Sequence, residues 1–118
     1  MRILNFKKEQ GKSIHDHDSQ GASVVHLLQN TPTFVVTIYL EPGGVLGVHT
    51  ATADQLFLVV AGSGQALAGE ERCQLSPGTA VLWQSGEEHE TRAGSQGLTA
   101  VVVEGKGLIE ALAPQLVS

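Results

Sequence analysis

The chain has 118 residues, enough for one domain with a modest hydrophobic core, and a formal net charge of -5 at pH 7. Its seven Lys and Arg residues are scattered apart from Lys7 and Lys8, which excludes the basic stripe that a nucleic acid or an anionic membrane would require. The single cysteine, Cys73, excludes an internal disulfide, and without an apolar leader or a membrane-length apolar run the expected location is the cytoplasm.

Short apolar segments separated by glycine-containing turns predict about ten short β-strands. The predicted strands comprise the first few residues, 23–29, 33–41, 45–50, 55–61, 65–68, 72–75, 79–83, a segment carrying His89 and Thr91, and 98–104. Turns are predicted at 42–44, 62–64, 69–71, 76–78, 84–86 and 94–97. In the strand 55–61, alternation places on one face the side chains of Gln55, Phe57, Val59 and Ala61.

So many short strands in one small domain predict an all-β sandwich or barrel. Only the end of the chain departs from this pattern. Leucine and isoleucine recur there at roughly helical spacing, at Leu108, Ile109, Leu112 and Leu116. This spacing predicts a short helix over 107–113 that covers the barrel.

Two segments of the chain carry Gly and His residues at characteristic spacings. In the first segment, five residues separate Gly43 from His49, and six separate Gln55 from Gly62. The second segment holds, in order, Gly78, Gln84, Gly86, His89 and Ala93. Residues 49 and 51 differ by two, so on a strand their side chains share a face.

On these two motifs the chain resembles a small single-domain cupin. In that family the position of Ala51 is His and that of Gln55 is Glu, while Gln84 and Ala93 stand where the family has Pro and Asn. The resemblance implies a jelly-roll β-barrel in which positions 49, 51, 55 and 89 converge. A single domain is expected over 1–118, with a core barrel over about 23–104, an N-terminal strand or arm over about 1–20 and a C-terminal tail over 105–118.

The resemblance indicates His49, Gln55 and His89 as the candidate site, either as metal ligands or as ligand-binding groups. As a metal site, two imidazoles and a neutral amide lack the carboxylate of the usual two-His, one-carboxylate arrangement. Such a set disfavours Mn(II) and Fe(II), whereas Zn, Ni or Cu tolerate an uncharged, nitrogen-rich shell better. Without a metal, the same residues form a hydrogen-bonding set for a small carboxylate or a hydroxylated molecule. Both interpretations stay open.

Other candidate residues surround this site in the sequence. Phe57 shares a face with Gln55 and is a candidate pocket wall, and Trp83 is a candidate for the pocket mouth, the core or a subunit interface. Four acidic residues are expected to be surface charges: Asp54, Glu87, Glu88 and Glu90. His15 and His17 form a His-x-His that is able to chelate a metal, but a solvated N-terminal segment is the favoured interpretation.

Three functions are compatible with these residues. The favoured one is a small-molecule-binding barrel built around His49, Gln55 and His89. The second is a metal-dependent enzyme, a dioxygenase, isomerase or lyase, that acts on a small polar metabolite. The third is a stability module with a vestigial pocket. Open sheet edges also predict a homodimer, in agreement with the resemblance.

Overall fold

The described part of the chain forms seven antiparallel strands and one short helix. The structure, a computed structural model, describes residues 1–114. The elements are β1 (Lys12–Ile14), β2 (Gln20–Leu28), β3 (Phe34–Thr50), β4 (Asp54–Ala68), β5 (Glu71–Leu75), β6 (Ala80–Trp83), β7 (Glu88–Gly105) and α1 (Leu108–Ala111). Single 3-10 turns lie at Lys8–Gln10 and at Asp16–Asp18, and the second of these is called the 16–18 turn below.

The strands form a jelly-roll barrel in the order β1-β2-β3-β7-β4-β5, with β6 paired to β4. The strand β7 lies at the centre, because it pairs with β3 along one side and with β4 along the other. This confirms the predicted all-β jelly-roll barrel. Among the residues that the structure describes, no helix is long and apolar enough to cross a membrane.

The strands are fewer and longer than the ten predicted from the sequence, because several glycine segments bend a strand instead of ending it. Residues 42–44 lie within β3, 62–64 within β4 and 94–97 within β7. The pairing register shifts at these places, for example between Leu40 and Val45, as at β-bulges. Gly62 shows why glycine is needed: its φ is +80°, and a Cβ atom there would overlap the carbonyl of Gly97.

Other sequence predictions were confirmed or corrected locally. A hairpin turns at Gly69 between β4 and β5, and the 84–86 turn leads into the strand that carries His89. Ala61 is exposed rather than facing inward with Phe57, because the register shifts between Val59 and Ala61. The terminal helix spans only Leu108–Ala111, and the predicted helical position Leu116 lies outside the described residues.

The core lies between the inner faces of the barrel. It contains apolar side chains from β2 to β7, namely Ala22, Ile38, Leu40, Phe57, Val59, Ala66, Leu75, Trp83, Leu98 and Ala100. The segment expected as an N-terminal arm contains β1, which pairs antiparallel with β2. The 16–18 turn connects these two strands and lies against β3.

Candidate functional site

A cavity of about 220 Å³ lies inside the barrel between β3, β4, β6, β7 and the 16–18 turn. Its wall is mostly apolar and includes Phe57, Trp83 and Val102. The polar side chains in the wall are Asp16, His17, Ser19, His49, Gln55, His89, Thr91 and Glu104. All five residues proposed from the sequence as ligand-binding therefore line one cavity.

Strand periodicity explains which side chains face this cavity. Along a strand every second side chain points to the same side. The wall accordingly takes alternate residues from each strand: Val36 and Ile38, Gln55 and Phe57, His89 and Thr91, and Val102 and Glu104. His49 and His89 are direct partners in the pairing of β3 with β7, which brings the two imidazoles together from distant parts of the chain.

The two histidines hold their rings through the same kind of backbone contact. His49 Nδ1 lies 2.7 Å from the Gly47 carbonyl oxygen, and His89 Nδ1 lies 3.1 Å from that of Glu87. A carbonyl oxygen only accepts, so Nδ1 carries the proton in both rings and Nε2 keeps its lone pair in the neutral form. The ring centres are 4.2 Å apart, with the planes tilted by 59°.

Aromatic packing fixes His89 further. The Trp83 ring stacks on His89 with the centres 4.0 Å apart and the planes 18° apart. Phe57 meets Trp83 edge-on at 5.4 Å, and all three side chains are buried. Burial lowers the pKa of His89 below its ordinary value of 6.5, and the hydrogen bond to Glu87 offsets only part of this effect. His89 is therefore neutral at pH 7.

Glu104 belongs to the cavity and was missed in the sequence. It is the direct partner of Gln55 in the pairing of β4 with β7. Its Oε1 accepts hydrogen bonds from Gln55 Nε2 at 3.1 Å and from Thr52 Oγ1 at 3.2 Å. The predicted strand 98–104 contained this residue, but only the pairing register shows that it faces Gln55.

The 16–18 turn is exposed, as expected for a solvated N-terminal segment, but it also contributes to the cavity wall. Asp16 and His17 are exposed, yet both line the cavity, and the His17 ring stacks over His49 with the centres 5.6 Å apart. The turn lies close to β3 because position 47 is glycine: a Cβ atom on Gly47 would overlap the His17 carbonyl. Gly47 N also donates a 3.1 Å hydrogen bond to Ser19 Oγ. His15 does not line the cavity.

Position 51 does not take part in the cavity wall, although the resemblance implied that it converges with the others. Ala51 is buried in the core, 1% exposed. Its backbone holds the turn before β7: Ala51 N donates to the Glu87 carbonyl at 3.0 Å, and Ala51 O accepts from Gly86 N at 2.7 Å. A side chain larger than that of Ala51 would overpack the core at this position.

The acidic residues near the motifs have structural contacts outside the cavity. Asp54 accepts hydrogen bonds from the backbone of Ser85 at 3.0 Å and of Ile109 at 3.3 Å, so it joins the turn before β7 to α1. Glu87 accepts from Gln84 N, and Glu90 pairs with Arg92 at 2.9 Å. None of these carboxylates, nor that of Glu88, lines the cavity.

The donor set does not fit a metal centre with two histidines and one carboxylate. Within residues 1–114, no three His, Cys, Asp or Glu side chains are grouped so that they could hold a metal ion. Two imidazole nitrogens and the amide oxygen of Gln55 remain, without a negative charge in the set. Such donors favour the softer divalent ions and hold even these weakly.

The fold and the cavity define a small jelly-roll protein with a histidine pair in its interior. The cupin domain family model matches residues 36–104, and the chain belongs to the cupin family. That segment runs from within β3 to within β7 and contains five of the polar residues of the cavity wall: His49, Gln55, His89, Thr91 and Glu104.

Solved structures of other proteins share the fold at low sequence identity. A cupin-like protein of Thermotoga maritima is 21% identical, with a TM-score of 0.75 and coverage of 86% of this chain and 81% of the other. KdgF from Halomonas sp. is 23% identical, with a TM-score of 0.67 and coverage of 85% and 98%. A predicted oxalate decarboxylase of Thermotoga maritima is 18% identical, with a TM-score of 0.73 and coverage of 85% and 96%. A search of the curated proteins found no match.

Proposed function

We propose that this cupin binds a small molecule in the cavity around His49, Gln55 and His89, with a metal site that is weakened relative to two-His, one-carboxylate centres. The observation that carries the proposal is a cavity whose central polar residues, His49, Gln55 and His89, lack the carboxylate of a two-His, one-carboxylate metal site. Phe57 and Trp83 supply apolar wall for the body of the ligand. Such a division between apolar walls and a few polar groups is typical of small-molecule sites.

The rigidity of the polar group supports binding rather than a vestigial pocket. His49 and His89 are both oriented by backbone carbonyls, and the Gln55 amide is oriented by Glu104. Groups that are held in place before binding lose little conformational entropy when a ligand arrives. A pocket without a function would not need three side chains held in this way.

The alternative function is a metal-dependent enzyme, a dioxygenase, isomerase or lyase. One observation favours it: histidines that bind metals usually donate the other ring N–H to a carbonyl or a carboxylate, as His49 and His89 do. The incomplete donor set argues against it. Structural neighbours include a predicted oxalate decarboxylase and the polyketide cyclase RemF, so the fold alone does not select one reaction.

Metal analysis separates the two functions. We would measure Zn, Ni, Cu, Mn and Fe in protein purified without an affinity tag, beside His89→Ala and the control variant His26→Ala, because His26 is exposed and lies outside the cavity. The binding function predicts far less than one metal per chain in all three proteins. Near-stoichiometric metal that is lost only in His89→Ala would overturn it in favour of the metal enzyme.

We also propose that the protein is a homodimer. β1 and β5 end the strand order and leave backbone groups available for pairing. Apolar side chains are exposed in the N-terminal segment, including Ile3, Leu4 and Phe6, and a second copy would remove them from water. Light scattering on a size-exclusion column should give twice the chain mass, and a monomer at micromolar concentration would contradict the proposal. Cytoplasmic residence stays a prediction from the residues.

A further inference from the structure

The polar groups of the cavity are mainly hydrogen-bond acceptors. His49 and His89 carry their protons on Nδ1, where backbone carbonyls accept them. In its neutral form each ring therefore has only Nε2 left for a ligand, and that Nε2 is an acceptor. The histidine pair consequently offers lone pairs rather than N–H groups to a ligand.

Gln55 and Glu104 add further acceptors. A carboxylate accepts only, so the contact at 3.1 Å requires the Gln55 amide to present its NH₂ to Glu104. The amide then offers its carbonyl oxygen to the remaining space. Glu104 uses Oε1 for both Gln55 and Thr52, and within residues 1–114 its Oε2 has no hydrogen-bond partner.

The charged residues of the cavity wall also favour a ligand that donates hydrogen bonds. Two carboxylates, those of Asp16 and Glu104, line the cavity, and no Lys or Arg is among the described residues that line it. The hydroxyl groups of Ser19 and Thr91 and the imidazole of His17 can each donate as well as accept, so they do not reverse the balance. An anionic ligand would meet carboxylates without a Lys or Arg to neutralise it, whereas a ligand with donors or a positive charge would satisfy the unpaired acceptors.

We infer that the cavity takes a small primary amine with an apolar body, whose ammonium group binds Glu104 and whose body lies against Phe57 and Trp83. An ammonium group has three donors and no acceptor, which complements the Nε2 atoms and the free carboxylate oxygen. The 220 Å³ of the cavity has room for a molecule of about one aromatic ring in size. The inference rests on the proposed binding function and names its ligand class.

Three probes of similar size and different charge test this inference: benzylamine, benzyl alcohol and benzoate. Trp83 is the only tryptophan and lies in the cavity wall, so its fluorescence reports on binding. The titrations are made at neutral pH with EDTA, which removes any metal that an amine or a carboxylate would bind. We expect benzylamine to bind at least about tenfold more tightly than benzoate, with benzyl alcohol between them.

The variant Glu104→Gln removes the charge while nearly preserving the shape. It should weaken benzylamine about tenfold and change benzyl alcohol less than about twofold. Glu70→Gln is the matched control, because Glu70 is exposed in the turn between β4 and β5, outside the cavity. Circular dichroism checks that both variants are folded, and the comparison of the three probes on the unaltered protein does not depend on either variant.

Each outcome bears on a different claim. Benzoate binding as tightly as benzylamine, or benzylamine binding unchanged by a folded Glu104→Gln variant, would overturn the amine assignment and leave the binding function standing. If none of the three probes binds, the amine assignment is likewise overturned. The binding function itself fails only if a broader panel of neutral, anionic and cationic fragments also leaves Trp83 fluorescence unchanged.

Discussion

Replacing Gln55 by Glu would restore the carboxylate that the cupin motif has at this position, and it should destabilise this protein. In the structure Gln55 Nε2 donates to Glu104 Oε1 at 3.1 Å. After the substitution, an oxygen takes the place of the donor, and two carboxylates face each other across β4 and β7. The favourable contact becomes a repulsion between like charges.

The size of the effect follows from the separation and the pH. Two unit charges 3.1 Å apart repel by about 5 kcal/mol at an effective dielectric constant of about 20. The protein avoids this cost by protonating one carboxyl group. For an ordinary Glu pKa of about 4.3, protonation costs about 3.7 kcal/mol at pH 7 and about 1 kcal/mol at pH 5. Both side chains are partly exposed, so screening by solvent reduces the expected loss to about 1–3 kcal/mol at pH 7.

Urea unfolding of the wild type and of Gln55→Glu, at about pH 5 and about pH 7, measures this loss. The free energy of unfolding should fall markedly at the higher pH and little at the lower pH. The double variant Gln55→Glu with Glu104→Gln exchanges the two groups across the strands and should recover most of the stability. Equal losses at both pH values, or no recovery in the double variant, would refute the proposed contact.

Three further predictions concern stability. Because burial lowers the pKa of His89, the unfolded chain binds a proton at this residue more readily than the folded protein does. The contribution of His89 to the free energy of unfolding is therefore fully present above pH 6.5 and is lost as the pH falls through the folded-state pKa. Urea unfolding as a function of pH should show the decline in the wild type and in a His26→Gln control but not in His89→Gln; the same decline in His89→Gln would contradict this cause. Gly47→Ala should lower the free energy of unfolding by about 1–3 kcal/mol, because its methyl group would displace the His17 carbonyl; an unchanged melting temperature would contradict the close approach. Phe57→Ala should cost about 3–5 kcal/mol by opening a cavity in the core, whereas a loss below about 1 kcal/mol in the same assay would mean that Phe57 is not tightly packed.

Much of the site could be predicted from two short motifs. The glycines and histidines of the motifs indicated a barrel with His49 and His89 in its interior, and alternation placed Phe57 beside Gln55. The prediction was wrong where a glycine segment was taken as the end of a strand, because the sequence of a bulge resembles that of a turn. Residues 42–44 and 62–64 bend their strands, and residues 1–114 therefore form seven strands, among them the long β3, β4 and β7, rather than about ten short ones.

Two parts of the cavity could not be predicted from local patterns. Glu104 faces Gln55 only because β4 and β7 pair in a particular register, and the two residues are far apart in the chain. His17 reaches His49 because Gly47 allows the 16–18 turn to approach β3 closely. Neither relation has a periodicity or a spacing that marks it in the sequence.

The sequence by itself determined the family, the all-β barrel and the histidine pair, because the histidines and glycines of each motif lie at fixed spacings within a short segment. The tertiary structure decided the character of the cavity. Strand register brought Glu104 to Gln55, and backbone carbonyls oriented both imidazoles. An imidazole or an amide offers its acceptor to the cavity when its donor is already bound to a neighbouring residue. The excess of acceptors in the cavity therefore arises only when distant strands pair.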